Sequence, residues 1–322
     1  MVARIPLVLG GANFGEAGKT AVRVSEVAEA QKIIDAFLSK YTELDTARLY
    51  GDGTSEGLLG KVDIRGASID TKIHPWVPGR HTPAGLRATI GLSLAALHPH
   101  KIRTYYLHMP DRSTPFEDTL REVNELYKEG KFEILGLSNY AAWEVVEIVH
   151  ICKSNGWIQP TVYQARYNAI TRGIDAELIP AARKYGIRIL AYSPLAGGFL
   201  TGRIPSRDTK LDVSDQFHES QGWLGPSLRR RFLNDSQFEA LKIIKQAAEK
   251  HSIPLVEVGY RWLQHHSKLQ PSDGIVIGSV SVEHLQQNLE YAEKGPLPDE
   301  VVDALDIANK VVGHDAPSYI FE

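Results

Sequence analysis

Short runs of β-branched and apolar residues alternate along the chain with longer segments whose apolar positions recur every three or four residues. The short runs fall at 5–9, 42–44, 67–71, 104–107, 132–137, 161–164, 187–192 and 274–277, and each predicts a strand. The longer segments predict helices. After Ser25, residues Val27, Ala30, Ile34, Phe37 and Leu38 share one face. Thr82 is a helix cap with Pro83 at the first helical position, ahead of a stripe of Leu86, Ile90, Leu94 and Leu97. Thr114-Pro115-Phe116-Glu117 has the form of a capping box, and its stripe of Phe116, Leu120, Val123 and Tyr127 ends at Gly130. Asp175 is placed to cap a helix ending at Gly186. Further helices are expected over 238–250, 254–265, 282–291 and 299–311.

Strict strand–helix alternation with right-handed crossovers gives a parallel sheet. Eight such units point to an α/β fold, a closed (β/α)8 TIM barrel, as a single domain over 1–322. An open doubly wound sheet is the runner-up. Against it, Gly10, Gly11 and Gly15 after the first strand do not have the GxGxxG spacing, and no helix follows directly. One long irregular stretch, 197–235, interrupts the alternation. Loops beyond roughly 12–15 residues are usually lids or binding loops.

Composition narrows the class. The 322 residues are 43% hydrophobic and 23% charged, ordinary for a globular chain. Thirty-six basic residues against 39 acidic ones give a net charge of -3, without the basic field of a nucleic-acid binder. No run reaches the roughly 18 apolar residues of a membrane span. The apolar run near the N-terminus is about five residues, short of the roughly 7–15 of a signal-peptide core, and is expected to be the first strand. The single cysteine, Cys152, excludes an intrachain disulfide and points to a reducing compartment such as the cytoplasm. His98, His100, His265 and His266 lack a carboxylate or cysteine at ligand spacing, so no metal site is expected.

A barrel of this kind carries its chemistry at the C-terminal ends of its strands. Those ends supply Asp45 and, one short loop later, Tyr50; then Lys72, His108, Ser138 with Asn139, Gln164, Tyr192 with Ser193, and Gly278 with Ser279. Singly, each has a plain structural reading: Asp45 as a loop cap, Tyr50 as a packed aromatic, His108 as a core histidine. Together, Asp45, Tyr50, Lys72 and His108 make a proton-donating site. A free phenol titrates near 10, and an adjacent ammonium lowers that value. Lys72 is expected to supply the ammonium and Asp45 to hold it. His108 is expected to orient a carbonyl oxygen. Such a site has no hydride of its own and needs a nicotinamide.

The segments LDTARLYGDGTSEGLLG, YYLHMPD, LGLSNYAAWEV, TVYQARYN, AYSPLAGGFLTGR and VIGSVSVEHLQQN, spread over the whole chain, resemble the aldo-keto reductases. Within them the pattern is most similar to the aflatoxin-aldehyde reductase branch. The resemblance implies Asp45, Tyr50, Lys72 and His108 as a catalytic tetrad, with Tyr50 as general acid and Asp45 also bordering the cofactor. It implies Ser138, Asn139 and Gln164 on the nicotinamide carboxamide, and Tyr192 stacked on the ring. Ser193, Pro194, Leu195, Gly197, Gly198, Leu200 and Arg203 would wrap the pyrophosphate. Gly278, Ser279, His284, Gln287 and Asn288 would meet the adenosine-phosphate end. Arg231, with Arg229, matches arginines near the substrate.

The implied activity is reduction of a small-molecule carbonyl with NADPH, with NADH the less favoured cofactor. His284 stands where many NADPH-preferring members carry arginine. The tail, Pro317 to Glu322, lacks the terminal arginine of animal members, which disfavours small carboxylated aldehydes such as succinic semialdehyde. A homodimer is a further expectation from the resemblance. The alternative is a cofactor-binding regulatory subunit of the potassium-channel β type, which keeps the same tetrad.

Overall fold

The computed structural model describes residues 3–320. Eight parallel strands close into a barrel in chain order: β1 (Leu7–Gly10), β2 (Glu43–Asp45), β3 (Ser68–Ile73), β4 (Ile102–Leu107), β5 (Ile134–Ser138), β6 (Pro160–Arg166), β7 (Arg188–Tyr192) and β8 (Gly274–Gly278). β1 pairs with β8 from Leu7 opposite Ile275 to Gly10 opposite Gly278, which completes the ring. All eight expected strands are present, with no end displaced by more than two residues.

Helices surround the barrel. They are α1 (Val27–Leu38), α2 (Ser55–Leu59), α3 (Pro83–Leu97), α4 (Phe116–Lys128), α5 (Ala142–Asn155) and α6 (Leu178–Lys184). Between β7 and β8 come α7 (Leu224–Phe232), α8 (Asp235–Lys250) and α9 (Leu255–His265), and after β8 come α10 (Val282–Glu293) and α11 (Asp299–Val312), the last packed along α8. No described helix is long and apolar enough to cross a membrane. The main core lies between helices and sheet. A separate small cluster of Val8, Tyr106, Val162 and Leu190 fills the inside of the barrel. Gly136 makes room for it, because a Cβ there would lie 2.3 Å from the Tyr106 ring.

Several local expectations change. Thr82 does cap α3, accepting from Gly85 N at 3.3 Å, with Pro83 next. Thr114 does not form a capping box. Phe116 is the first residue of α4, so Pro115 holds the cap position and Thr114 sits one residue too early. Asp175 likewise lies outside α6, whose cap is Glu177, and accepts instead from the Tyr167 hydroxyl at 2.7 Å. The 197–235 stretch is not a continuous loop. It contains a 3₁₀ turn, Ala196–Thr201, and α7. Gly225 and Pro226 occupy the second and third positions of α7; proline costs no hydrogen bond in a first turn, and a Cβ at Gly225 would lie 2.0 Å from His218 O.

Candidate active site

Strand polarity brings the tetrad to one wall. Asp45 is the last residue of β2, and Lys72 lies near the end of β3, two residues beyond Asp70, the register partner of Asp45. Lys72 is fully buried. Its Nζ donates to Asp45 Oδ1 and Oδ2 at 2.7 and 2.6 Å and to Thr46 O at 2.7 Å, which uses all three ammonium donors. Gln164 Nε2 donates to the same carboxylate at 2.9 Å. Lys72 Nζ lies 5.2 Å from the centre of the Tyr50 ring, and Tyr50 meets His108 edge-on at 6.0 Å.

Asp45, Tyr50, His108 and Gln164 face a cavity of about 600 Å³ at the C-terminal mouth of the barrel, with Lys72 buried behind Asp45. Asp45, Tyr50, His108, Asn139, Gln164 and Tyr192 form its floor. Ser193, Pro194, Leu195, Gly197, Gly198 and Arg203 continue it along one side to Gly278, His284 and Asn288. Lys72, Ser138, Leu200, Ser279 and Gln287 are not on its wall. Ser138 stands behind Asn139, whose Nδ2 donates to Ser138 Oγ and to His108 O, both at 2.8 Å. Tyr192 donates to Asn139 Oδ1 at 2.8 Å. Ser279 turns its hydroxyl onto Ser281 O at 2.8 Å, and Leu200 belongs to the core.

The electrostatics correct one expectation. Burial, then the Asp45 charge, then Tyr192 hold the Tyr50 phenol well above its ordinary value of 10.0. Lys72 does not lower it here, because Asp45 is in direct contact with the ammonium and largely cancels its field at the phenol. Tyr50 is therefore protonated at neutral pH. Tyr50 is half-buried and lines the cavity. Burial, then His74, Lys72 and His81, hold His108 well below 6.5, so its imidazole is neutral. Its Nδ1 is buried without a hydrogen-bond partner.

The backbone around the cavity is unusual. Asn139, Ser193 and Ala196 have φ of 63°, 56° and 51°, a conformation that side chains other than glycine seldom adopt and that gathers at functional sites. Gly197 and Gly198, at φ of 66° and 90°, extend the same turn.

Sequence reasoning missed several wall residues. Arg166 is one, 4% exposed; β6 runs two residues past Gln164, so period-two alternation could have found it. Its guanidinium lies 5.6 Å from the Tyr192 ring centre, and Nη1 donates to Ser318 O in the C-terminal tail. Burial, then Arg166, lowers Arg231 to about 10. His74 and Trp76, two and four residues after Lys72, obey the same alternation; Trp76 packs on Trp223 at 5.6 Å. Asn13 and Arg23 also line the wall. Of the tail, Tyr319 OH accepts from Ala142 N at 3.3 Å, while Phe321 and Glu322 lie outside the described residues.

The model of the aldo/keto reductase family matches residues 6–310. The chain belongs to this family. It is 42% identical over 332 aligned positions to human aflatoxin B1 aldehyde reductase member 4, covering 98% of this chain and 97% of that one. It is 43% identical to aflatoxin B1 aldehyde reductase member 2 of Mus musculus, covering 89% and 81% of the two chains. The oxidoreductase sirO of Leptosphaeria maculans is 34% identical, covering 97% and 96%. The protein is thus an oxidoreductase of a family that generally uses nicotinamide cofactors.

The cavity fits such a cofactor. It extends from the tetrad to α10, whose cap Ser281 accepts from His284 N at 3.1 Å. Helix N-termini favour phosphate. Asn288 leaves a buried Oδ1 without a partner at that end. At Gly278 a Cβ would sit 3.3 Å from Asn13 Nδ2, so glycine keeps the passage open.

Proposed function

We propose that the protein reduces aldehydes or ketones to alcohols with NADPH, Tyr50 giving the proton. The Asp45–Lys72 pair beside Tyr50 and His108, next to a cavity that continues to Gly278, His284 and Asn288, carries this reading. NADPH supplies the hydride when bound. Neutral His108 offers an imidazole N–H to the substrate oxygen and sets its angle. Tyr50, protonated, passes its proton to that oxygen. An alkoxide is a far stronger base than a phenolate, so a raised phenol pKa keeps the donor loaded while the transfer stays downhill. Lys72 then faces the phenolate left behind.

Asn139 and Gln164 would hold the carboxamide, with Ser138 supporting Asn139. Tyr192 would lie against the nicotinamide ring, the segment from Ser193 to Arg203 against the pyrophosphate, and His284, Gln287 and Asn288 near the adenosine end. Burial lowers the His284 pKa, so at neutral pH it gives the 2′-phosphate a hydrogen bond rather than a full charge. His284→Arg should therefore raise the ratio of kcat/KM for NADPH over NADH about tenfold; an unchanged ratio removes His284 from the phosphate site.

The relatives named for an aflatoxin aldehyde support an aldehyde as the carbonyl class. Arg166 and Arg231 make the wall cationic. We keep an uncharged aromatic aldehyde as the better substrate, since Arg166 is already engaged by Ser318 O. A kcat/KM for succinic semialdehyde well above that for 4-nitrobenzaldehyde reverses this. The resemblance also suggests a cytoplasmic homodimer, and a monomer mass in light scattering would remove the dimer.

The decisive experiment follows NADPH absorbance with 4-nitrobenzaldehyde and a panel of other aldehydes. Steady oxidation is expected. Tight cofactor binding with no turnover on any aldehyde sinks the enzyme reading and leaves the regulatory-subunit alternative.

A further inference from the structure

The turn that carries Tyr50 is strained. Tyr50–Gly53 forms one 3₁₀ turn in which Gly51, Asp52 and Gly53 have φ of 57°, 53° and 96°. Asp52 thus holds a left-handed conformation without being a glycine. Leu49, which precedes the turn, offers no capping side chain. Thr54 N and Oγ1 donate to Gly51 O at 3.0 and 2.6 Å, and Asp52 Oδ2 accepts from Thr20 N at 3.1 Å, so the turn is held locally before any longer reach is added.

Two residues before Tyr50, Arg48 reaches across the turn to α2. Its Nη1 donates to Glu56 Oε2 at 2.6 Å. Glu56 is fully buried, and its other oxygen accepts from Thr71 Oγ1 at 2.5 Å. Thr71 precedes Lys72 in β3, and successive strand side chains point to opposite faces. The Arg48 backbone N–H also donates to Lys72 O at 3.1 Å. One buried carboxylate therefore ties the approach to Tyr50 to the strand that carries Lys72, from the face opposite Asp45. At Gly53 a Cβ would lie 2.7 Å from Arg48 Nη2, so glycine there serves both the turn and the guanidinium.

Arg48, Glu56 and Thr71 are all absent from the wall of the Tyr50 cavity. Arg48 lines instead a neighbouring cavity of about 390 Å³ that shares Leu49, His74 and Trp76 with it. We propose that Arg48 is a positioning residue: the Arg48–Glu56–Thr71 chain fixes the Tyr50 turn against Lys72 and His108. This rests on the reading of Tyr50 as the acid.

Breaking the pair at one end leaves a buried charge, which destabilises the fold whatever its catalytic role. The test therefore compares wild type, Arg48→Met, and the double variant Arg48→Met/Glu56→Gln, in which the uncompensated charge is gone. The thermal midpoint should drop in Arg48→Met and recover in the double variant. With NADPH and 4-nitrobenzaldehyde, kcat should fall about tenfold or more in both, with the Kd for NADPH within about twofold of wild type. Arg48→Lys should restore part of kcat. If kcat recovers together with the thermal midpoint, the pair serves stability alone and the proposal is overturned. Amide hydrogen exchange over residues 48–56 needs no turnover. Faster exchange in the double variant is expected. Unchanged protection overturns the brace even in a protein that proves to have no reductase activity.

Discussion

Two ionic clusters sit inside one barrel, and β2 and β3 contribute to both. β2 sends Glu43 toward the N-terminal end and Asp45 toward the mouth; β3 sends Asp70 and Lys72 the same two ways. At the lower end, Arg188 forks onto Glu43 at 2.8 and 3.0 Å, and Arg103 bridges Glu43 at 2.7 Å and Asp70 at 2.9 and 3.0 Å. Two carboxylates meet two planar guanidinium forks, the geometry that satisfies both best. At the mouth, one ammonium meets one carboxylate, and the cavity begins beside them. Burial pushes the Glu43 carboxyl up, but Arg188 and Arg103 outweigh it and the net shift is downward. For Asp70 burial wins over Arg103 and the net shift is upward. At the mouth the groups left strongly perturbed are the Tyr50 phenol, raised, and the His108 imidazole, lowered. The lower cluster closes on itself. The upper one leaves a proton donor facing the space where a substrate would bind.

The largest effect should separate the two ends cleanly. Tyr50→Phe should lower turnover by about 10²–10⁴-fold with near-normal NADPH affinity and a similar thermal midpoint. A variant that keeps most of its kcat would show that Tyr50 is not the acid.

Arg103→Met attacks the other end. It strips Asp70 of its fork and should cost about 3–5 kcal/mol in denaturant unfolding, with kcat unchanged well below the unfolding range. A loss of kcat at intact stability would mean that the two clusters are coupled.

A smaller effect concerns pH. Burial lowers His81 to about 4 from 6.5, despite the opposing charge of Asp111. The folded state thus disfavours its charged form, and between pH 6.5 and 4 the unfolded chain binds the extra proton. Stability from this group is complete above 6.5 and is lost as pH falls toward 4, by roughly 3 kcal/mol at most. His74, also lowered to about 4 by burial, acts in the same direction. His81→Leu should flatten the acid side of the stability curve. An unchanged slope between pH 6.5 and 4 would remove His81 as the source.

The strands were legible because each is a short apolar run between polar turns. The grouping of Asp45, Lys72 and His108 was legible because a parallel barrel brings all its strand ends to one face. Thr114 and Asp175 misled because a cap differs from its neighbours only by backbone conformation, and a one-residue shift removes it. α7 was hidden by Gly225 and Pro226; the proline is tolerated because it falls in the first turn.

By itself the sequence determined that Asp45, Lys72 and His108 come together at one end of the barrel, since parallel strand order fixes that before any packing. Only the tertiary structure decided what state they are in. The Tyr50 phenol is pushed up rather than down because burial and the direct Asp45–Lys72 contact outweigh the field of an ammonium, and those depend on distances that no spacing encodes. The same holds for the Arg48–Glu56–Thr71 chain: residues 8 and 23 positions apart became one brace only when α2 packed against the outer face of β3.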